Sequence, residues 1–347
     1  MTRTTGVLDT LGMFDAAANL PEQVADAVRG GQNLDGLPNH EYVENIVVLG
    51  MGGSGIAGDI MVAIAGPFLP LPVTVVKSYS LPDFVGPGSL VFAMSFSGDT
   101  EEIVESAGEA FEHGAKVVTV TSGGELRRLA EEHGAPLVEV PAGIPQPRAA
   151  LGWMAIPPLV VLEEVGLFPG ASEWVRLAVR QLQLRRDELT RPGNEAEQIA
   201  ARIGRTIPLV HAAQSIGATA ALRWKTQINE NAKTPAFWAA YPELCHNEIA
   251  GWGQNGDVTR QVTTLVNLRH DAEHPQVVRR FDLVREWMAE VVADVIDVHA
   301  QGEGDLAQLL DLILIGDFVS LHLAEREGID PGPVPVLEDL KVRLRQA

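Results

Sequence analysis

Short apolar runs alternate with amphipathic segments through the first part of the chain. Five runs rich in β-branched residues have the length of buried strands, and they occupy residues 46–49, 73–76, 89–94, 117–120 and 136–140. Helical stretches begin between them, near Ser54, Asp99 and Glu125. Apolar strands that alternate with helices predict a parallel sheet covered on both faces.

The same alternation returns in the second part of the chain. Helices are predicted over 151–165, 172–204 and 305–326, with a basic helix ending near Arg345 and a helical extension at 5–35. Strand-like runs are predicted at 207–211, 261–268 and 291–298. We therefore predict an α/β protein of two doubly wound domains, residues 1–150 and residues 151–347, each a mainly parallel sheet flanked by helices.

Composition and charge narrow the class of protein. The chain has 347 residues, of which 46% are hydrophobic, and a formal net charge of −20. An acidic surface argues against nucleic acid and anionic membranes as partners. A single cysteine, Cys245, excludes an internal disulfide. Because we find no signal peptide and no apolar run long enough to span a bilayer, we expect a soluble, cytoplasmic protein.

A glycine-rich loop, Gly50–Gly55, follows the first predicted strand and opens a helix. Glycines let the backbone approach an anion, and a helix start offers N–H groups to it. The spacing also satisfies the dinucleotide pattern Gly-x-Gly-x-x-Gly, but that pattern expects an acidic residue where the second strand here ends in Lys77-Ser78. A site for a small phosphoester is favoured over dinucleotide binding and over a purely structural turn.

A hydroxyl-rich loop, Ser95–Thr100, follows the third predicted strand and opens the next helix. Local helix capping alone explains such residues, and Asp99 with Glu102 predicts a capping box. Two anion-type loops at the carboxyl ends of neighbouring strands nevertheless favour a phosphate site. A Gly-Gly-Ser loop followed by this hydroxyl-rich loop resembles the sugar isomerase (SIS) fold. That family usually has Asn where this chain has Asp99, whose carboxylate we expect to point away from the phosphate and cap the helix.

Four charged residues elsewhere are candidates for chemistry. Taken singly, Glu230 is typical of a solvated helix carboxylate, His246 of a satisfied loop histidine, and Arg148 and Lys341 of surface charges. Together their surroundings resemble the bifunctional phosphoglucose/phosphomannose isomerase branch of the SIS family. The matching stretches follow the order of that family, and they are 50–55, 95–100, 147–151, 229–233, 246–247 and 340–341.

This resemblance implies an aldose–ketose isomerase that acts on a sugar 6-phosphate without metal or cofactor. It makes Glu230 the proton-transfer base, and it makes His246 the residue that assists ring opening, with Lys341 near it. It assigns enediolate stabilisation to Arg148. It assigns the phosphate to residues of the two loops, which are Gly52, Gly53, Ser54, Ser95, Ser97 and Thr100. It also implies a homodimer with shared active sites, because in this family the histidine comes from the neighbouring subunit.

Other classes remain open at this point. SIS domains also serve as non-catalytic sugar-phosphate sensors, and a nicotinamide-dependent dehydrogenase is disfavoured by Lys77. The nine histidines show no His-Glu-x-x-His spacing, which disfavours a metal-dependent isomerase. Cys245 is predicted to be an inert thiol. Val334 stands where the family commonly has Thr, which leaves the balance between glucose and mannose 6-phosphate open.

Overall fold

The structure of the protein, a computed structural model, describes residues 8–344 and residue 346. The helices are α1 Met13–Ala18, α2 Leu20–Gly31, α3 Gly52–Ile64, α4 Glu101–Glu112, α5 Gly124–His133, α6 Leu151–Val165, α7 Ala171–Leu189, α8 Glu195–Ile203, α9 Ile216–Asn231, α10 Gly256–Val262, α11 Pro275–Met288, α12 Asp305–Glu327 and α13 Pro335–Leu344. The strands are β1 Asn45–Gly50, β2 Val73–Val76, β3 Ser89–Met94, β4 Lys116–Thr121, β5 Leu137–Glu139, β6 Ile207–Ala213, β7 Phe237–Tyr241, β8 Thr263–Arg269 and β9 Asp294–His299.

The first sheet contains five parallel strands in the order β2-β1-β3-β4-β5. All residues of β3 are buried, as expected for a strand covered on both faces. Helix α3 packs closely on this sheet, since a Cβ at Gly58 would lie 2.9 Å from Cγ1 of Val48. The chain passes from β1 to β2 on one side and then to β3 on the other. This order places a topological switch point between β1 and β3.

The second sheet contains four parallel strands in the order β7-β6-β8-β9. Its central strands are buried, and Trp224 of α9 lies wholly inside the core beside α12. The indole of Trp224 donates to the carbonyl of Leu312 over 2.7 Å, and Gly316 leaves it room. The predicted architecture of two mainly parallel sheets with flanking helices is therefore confirmed.

Contacts divide the chain into two compact units. The first unit contains Asn19–Leu184 and Gln301–Asp311, with the first sheet. The second unit contains the described residues up to Ala18, then Arg185–Ala300, and those from Leu312 onwards, with the second sheet. The division differs from the boundary predicted after residue 150, because α6 packs against α2 and α3 in the first unit.

Two of the predicted helices are each divided into two. The expected helix at 5–35 is two helices, α1 and α2, and residues 5–7 lie outside the described part. The Asp9 carboxylate caps α1, since it accepts from the N–H of Met13 over 2.8 Å. The expected helix at 172–204 is interrupted at 190–194, where Asn194 caps α8 by accepting from Glu197 N–H over 3.0 Å. Arg345, the expected end of the last helix, also lies outside the described residues.

Helix α12 is long and apolar enough to cross a membrane by length and composition. The expectation that no apolar run reaches this length is therefore wrong. The apolar part of this helix is wholly buried inside the protein, as in a core helix. Its polar residues also have protein partners, since Asp317 accepts from the guanidinium of Arg223 over 2.9 Å.

Candidate active site

The loop after β1, predicted to bind an anion, makes a tight turn into the start of α3. A Cβ at Gly50 would lie 2.8 Å from the Ser54 carbonyl oxygen, so glycine permits the tight turn into α3. Gly52 opens the helix with φ of +52°, a conformation that glycine adopts without penalty. Gly53 follows it, and Ser54 is buried in the first helical turn. The partial positive charge of this helix start favours an anion.

The loop after β3 lies beside the first loop. Gly50 pairs with Met94 in the sheet, so both loops leave neighbouring strands at the same level and at the switch point. Ser95 is buried, and its hydroxyl lies 2.8 Å from that of Thr100 and accepts from Gly98 N–H over 3.1 Å. Ser97 is exposed and Thr100 half-buried. Ser95 therefore holds the loop in shape, while Ser97 and Thr100 lie nearer solvent.

Asp99 caps a different helix from the one predicted. Its Oδ1 accepts from the backbone N–H of Glu125 over 3.0 Å, at the start of α5. The N-cap of α4 is Thr100, and its side chain makes no capping hydrogen bond. The predicted capping box of Asp99 and Glu102 is therefore wrong, because the neighbouring loop after β4 presents a closer helix start to the carboxylate.

Arg148 lies next to the first loop. It belongs to a 3-10 turn, Pro147–Ala149, and is only 3% exposed. A Cβ at Gly53 would lie 3.4 Å from the Arg148 Cα, so the turn and the start of α3 are in close contact. The side-chain amide of Gln23 donates to the Ala149 carbonyl over 2.8 Å and supports the turn. The backbone of the turn that carries the buried Arg148 is thus held against the start of α3.

Lys77, where a dinucleotide fold has its acidic residue, is part of an internal ion pair. Its Nζ lies 2.5 Å from Asp59 Oδ2 of α3. Burial of Asp59 raises the pKa of its carboxyl, and the contact with Lys77 opposes that rise. Lys77 also covers Gly55, where a Cβ would lie 3.1 Å from the lysine Cε. The residue at this position therefore packs against the loop and presents no carboxylate to a ribose.

In the second unit, the motif residues around Glu230 hold the end of α9. Glu230 is half-buried in the last turn of the helix. Asn229 donates to the Thr234 carbonyl over 2.9 Å, and the buried Asn231 donates to the Ser320 hydroxyl over 2.9 Å. Hydrogen bonds on both sides of Glu230 thus fix the backbone that carries the carboxylate.

Lys233 links this helix end to a distant turn. Its Nζ donates to the Glu230 carbonyl over 2.7 Å and to the Asp330 carbonyl over 3.0 Å. The turn at 330–334 leads directly into α13, on which Lys341 is exposed. Lys233 therefore ties the residue predicted as the base to the segment that carries Lys341. Sequence reasoning gave Lys233 no role, although it belongs to the matching stretch 229–233.

His246 lies on an exposed loop after β7. It ends the 3-10 turn Glu243–His246, and its side chain is exposed. Cys245, beside it, is half-buried, and burial raises the pKa of its thiol. A thiol with a raised pKa stays protonated at neutral pH and is a weak nucleophile.

Within the described residues, no group of three or more His, Cys, Asp or Glu side chains is arranged to hold a metal ion. The residues predicted to carry the chemistry are divided between the two units. The two loops and Arg148 lie in the first unit, and Glu230, His246 and Lys341 lie in the second.

Comparison with solved structures defines the class. The tagatose-6-phosphate ketose/aldose isomerase from Escherichia coli is similar with a TM-score of 0.71 and 16% identity, covering 92% of this chain and 95% of that chain. Residues 193–344 match the family described as the bacterial phospho-glucose isomerase C-terminal SIS domain. The protein thus has the fold of the SIS-domain phosphosugar isomerases.

Sequence relatives identify the family within this class. The bifunctional phosphoglucose/phosphomannose isomerase of Caldicellulosiruptor bescii is 33% identical over 96% of this chain and 99% of that protein. The protein of the same name from Aquifex aeolicus is 37% identical over 87% of this chain and 91% of that protein. The chain belongs to the bifunctional phosphoglucose/phosphomannose isomerase family, and the resemblance predicted from its motifs is confirmed.

Proposed function

We propose that the protein interconverts glucose 6-phosphate, and also mannose 6-phosphate, with fructose 6-phosphate by proton transfer through an enediolate. The observation that carries the proposal is the pair of loops at the switch point of the first sheet, which offer a helix start and several hydroxyls to one phosphate. The phosphate supplies binding energy that positions the reacting carbons. A net charge of −20 does not oppose this, because a helix start carries a partial positive charge of its own.

The proton transfer is assigned to Glu230. His246, with Lys341 near it, assists opening of the sugar ring by moving a proton at the ring oxygen. Glu230 then removes the proton from C2 and returns it to C1, while the proton of the O2 hydroxyl passes to O1. Arg148 stabilises the negative charge of the enediolate between these two steps. No metal ion or cofactor takes part in the proposed reaction.

A coupled assay tests the proposal. We expect fructose 6-phosphate to form from both aldose phosphates, at rates unchanged by EDTA. A sugar-phosphate sensor, the competing function, binds either compound without turnover, and that result contradicts the proposal. The ratio of the two initial rates also measures the effect of Val334, the half-buried residue that precedes α13 in place of Thr.

We further propose that the enzyme is a cytoplasmic homodimer whose active sites combine Glu230 of one subunit with His246 of the other. The exposed apolar side chains of α13 and of the edge strand β7 support a partner surface; Val336 is 71% exposed and Phe237 58%.

Mixing two inactive variants tests the shared site. A dimer of Glu230→Gln with His246→Ala has one site that carries both changes and one site that carries neither. Random re-association should therefore restore about a quarter of the wild-type activity. Activity is measured after the two proteins are dissociated and re-associated together, with each variant alone as the control. No recovery, despite formation of the mixed dimer, contradicts a shared site.

A further inference from the structure

The loop that carries His246 is built from two 3-10 turns, Glu243–His246 and Glu248–Gly251. Asn247, between them, donates to Glu243 over 2.8 Å and accepts from the backbone N–H of Glu248 over 2.6 Å. These hydrogen bonds shape the loop, but both partners belong to it. They do not by themselves fix its position on the second sheet.

Glu248 connects this loop to the interior of the sheet. Its Oε1 lies 2.8 Å from Nε2 of His211, which is wholly buried in β6. The indole N–H of Trp252 donates to the same oxygen over 3.3 Å. Burial disfavours the charged form, yet the hydrogen bonds from His211 and Trp252 hold the pKa of Glu248 below its ordinary value. Glu248 is therefore a carboxylate held by His211 of the second sheet and by Trp252 at the end of its own loop.

Nε2 of His211 is the ring atom that faces Glu248 in this contact. Its Nδ1 is buried and has no hydrogen-bond partner among the described residues. An imidazolium would leave an N–H buried there without an acceptor, which costs about 1–3 kcal/mol. The tautomer with its proton on Nε2 avoids this cost and donates to Glu248. An amide oxygen can accept from an N–H at Nε2 in place of the carboxylate oxygen.

We propose that Glu248 is a positioning residue that anchors the His246 loop to β6 and so places His246 for ring opening. The proposal rests on the role of His246 given above. Ring opening concerns only cyclic substrates. Loss of the anchor should therefore impair turnover of a hexose phosphate more than binding of an acyclic ligand that resembles the enediolate.

Two variants at one position separate anchoring from charge. Glu248→Ala removes the acceptor, and we expect kcat/KM for glucose 6-phosphate to fall about 10- to 100-fold, as for a catalytic group displaced by about 1 Å. The inhibition constant of arabinonate 5-phosphate, an acyclic aldonate phosphate, should not change. Glu248→Gln keeps an oxygen acceptor for His211 and should remain within about threefold of wild type. Glu290→Ala, which removes an exposed carboxylate of the same unit, is the matched control.

Amide hydrogen exchange over residues 243–251 tests the anchor without relying on activity. Exchange should be faster in Glu248→Ala and unchanged in Glu248→Gln. Unchanged exchange and unchanged kcat/KM in Glu248→Ala overturn the proposal, as does a Glu248→Gln variant as impaired as Glu248→Ala. An equal loss of turnover and of arabinonate 5-phosphate binding also overturns it. If the wild-type protein shows no turnover, the proposed function is refuted. The hydrogen-exchange data then test separately whether Glu248 anchors the loop.

Discussion

Replacing Glu230 with Gln should abolish isomerisation while leaving the fold intact. A positioned general base contributes about 10²- to 10⁴-fold to the rate, and an amide of the same shape cannot accept the C2 proton. We therefore expect kcat to fall by that factor with little change in KM. The side chain is half-buried, and its helix end is held by Asn229, Asn231 and Lys233, so the backbone that carries residue 230 keeps these supports in the variant.

The assay should follow deuterium as well as product. In D₂O the wild-type enzyme should incorporate deuterium at C2 of the aldose as the base exchanges its proton with solvent, and Glu230→Gln should not. Glu230→Asp keeps the carboxylate but withdraws it by one methylene. Its kcat should therefore lie between those of the wild type and Glu230→Gln. Full activity of Glu230→Gln would show that Glu230 is not the base and that another group moves the proton.

Replacing Gly98 with Ala should disable the loop after β3, for which we propose phosphate binding. Gly98 has φ of +78°, and a Cβ there would lie 1.8 Å from the Gly123 carbonyl oxygen. The loop after β3 must then move away from the loop after β4, and it also loses the left-handed conformation that glycine tolerates. The hydrogen bond from Gly98 N–H to Ser95 would break with it. We expect KM for sugar phosphates to rise at least tenfold and the free energy of unfolding to fall by about 1–3 kcal/mol.

Gly108→Ala is the matched control for this substitution. Gly108 lies inside α4, the helix that the same loop opens, and a Cβ there would meet no atom within 4 Å. Alanine in a helix interior is more stable than glycine by about 0.5–1 kcal/mol, so this variant should be slightly stabilised with KM unchanged. Denaturant unfolding and steady-state kinetics measure both effects. An unchanged KM in Gly98→Ala would mean that the loop after β3 does not bind the phosphate.

The strands of the first sheet were predictable because they are buried on both faces. Such strands are nearly continuous apolar runs bounded by turn residues, as Ser89–Met94 is. Strand β7 escaped prediction because it lies at a sheet edge, where Phe237 and Trp238 are exposed and no simple apolar pattern results. Its three aromatic residues within Phe237–Tyr241 were the available signal, since aromatic side chains are enriched in strands.

The supports of the candidate site could not be predicted because they join residues far apart in the chain. Lys233 meets a carbonyl 97 residues away, and Glu248 meets a histidine 37 residues away. Local patterns of apolar and polar residues contain no information on such pairs. The candidate residues themselves were recognisable because each motif is a short stretch of sequence, and the order of the motifs can be read directly from the chain.

Asp99 uses one side-chain oxygen to cap α5, and Asn, which has the same shape, offers an equivalent oxygen. Both side chains present the same oxygen to the Glu125 N–H, so the geometry of the turn is conserved while its formal charge changes. The dipole of α5 compensates a carboxylate at that end by about 0.3–1 kcal/mol. A lineage that accumulates acidic residues can therefore alter this position and still keep the fold of the neighbouring loop intact.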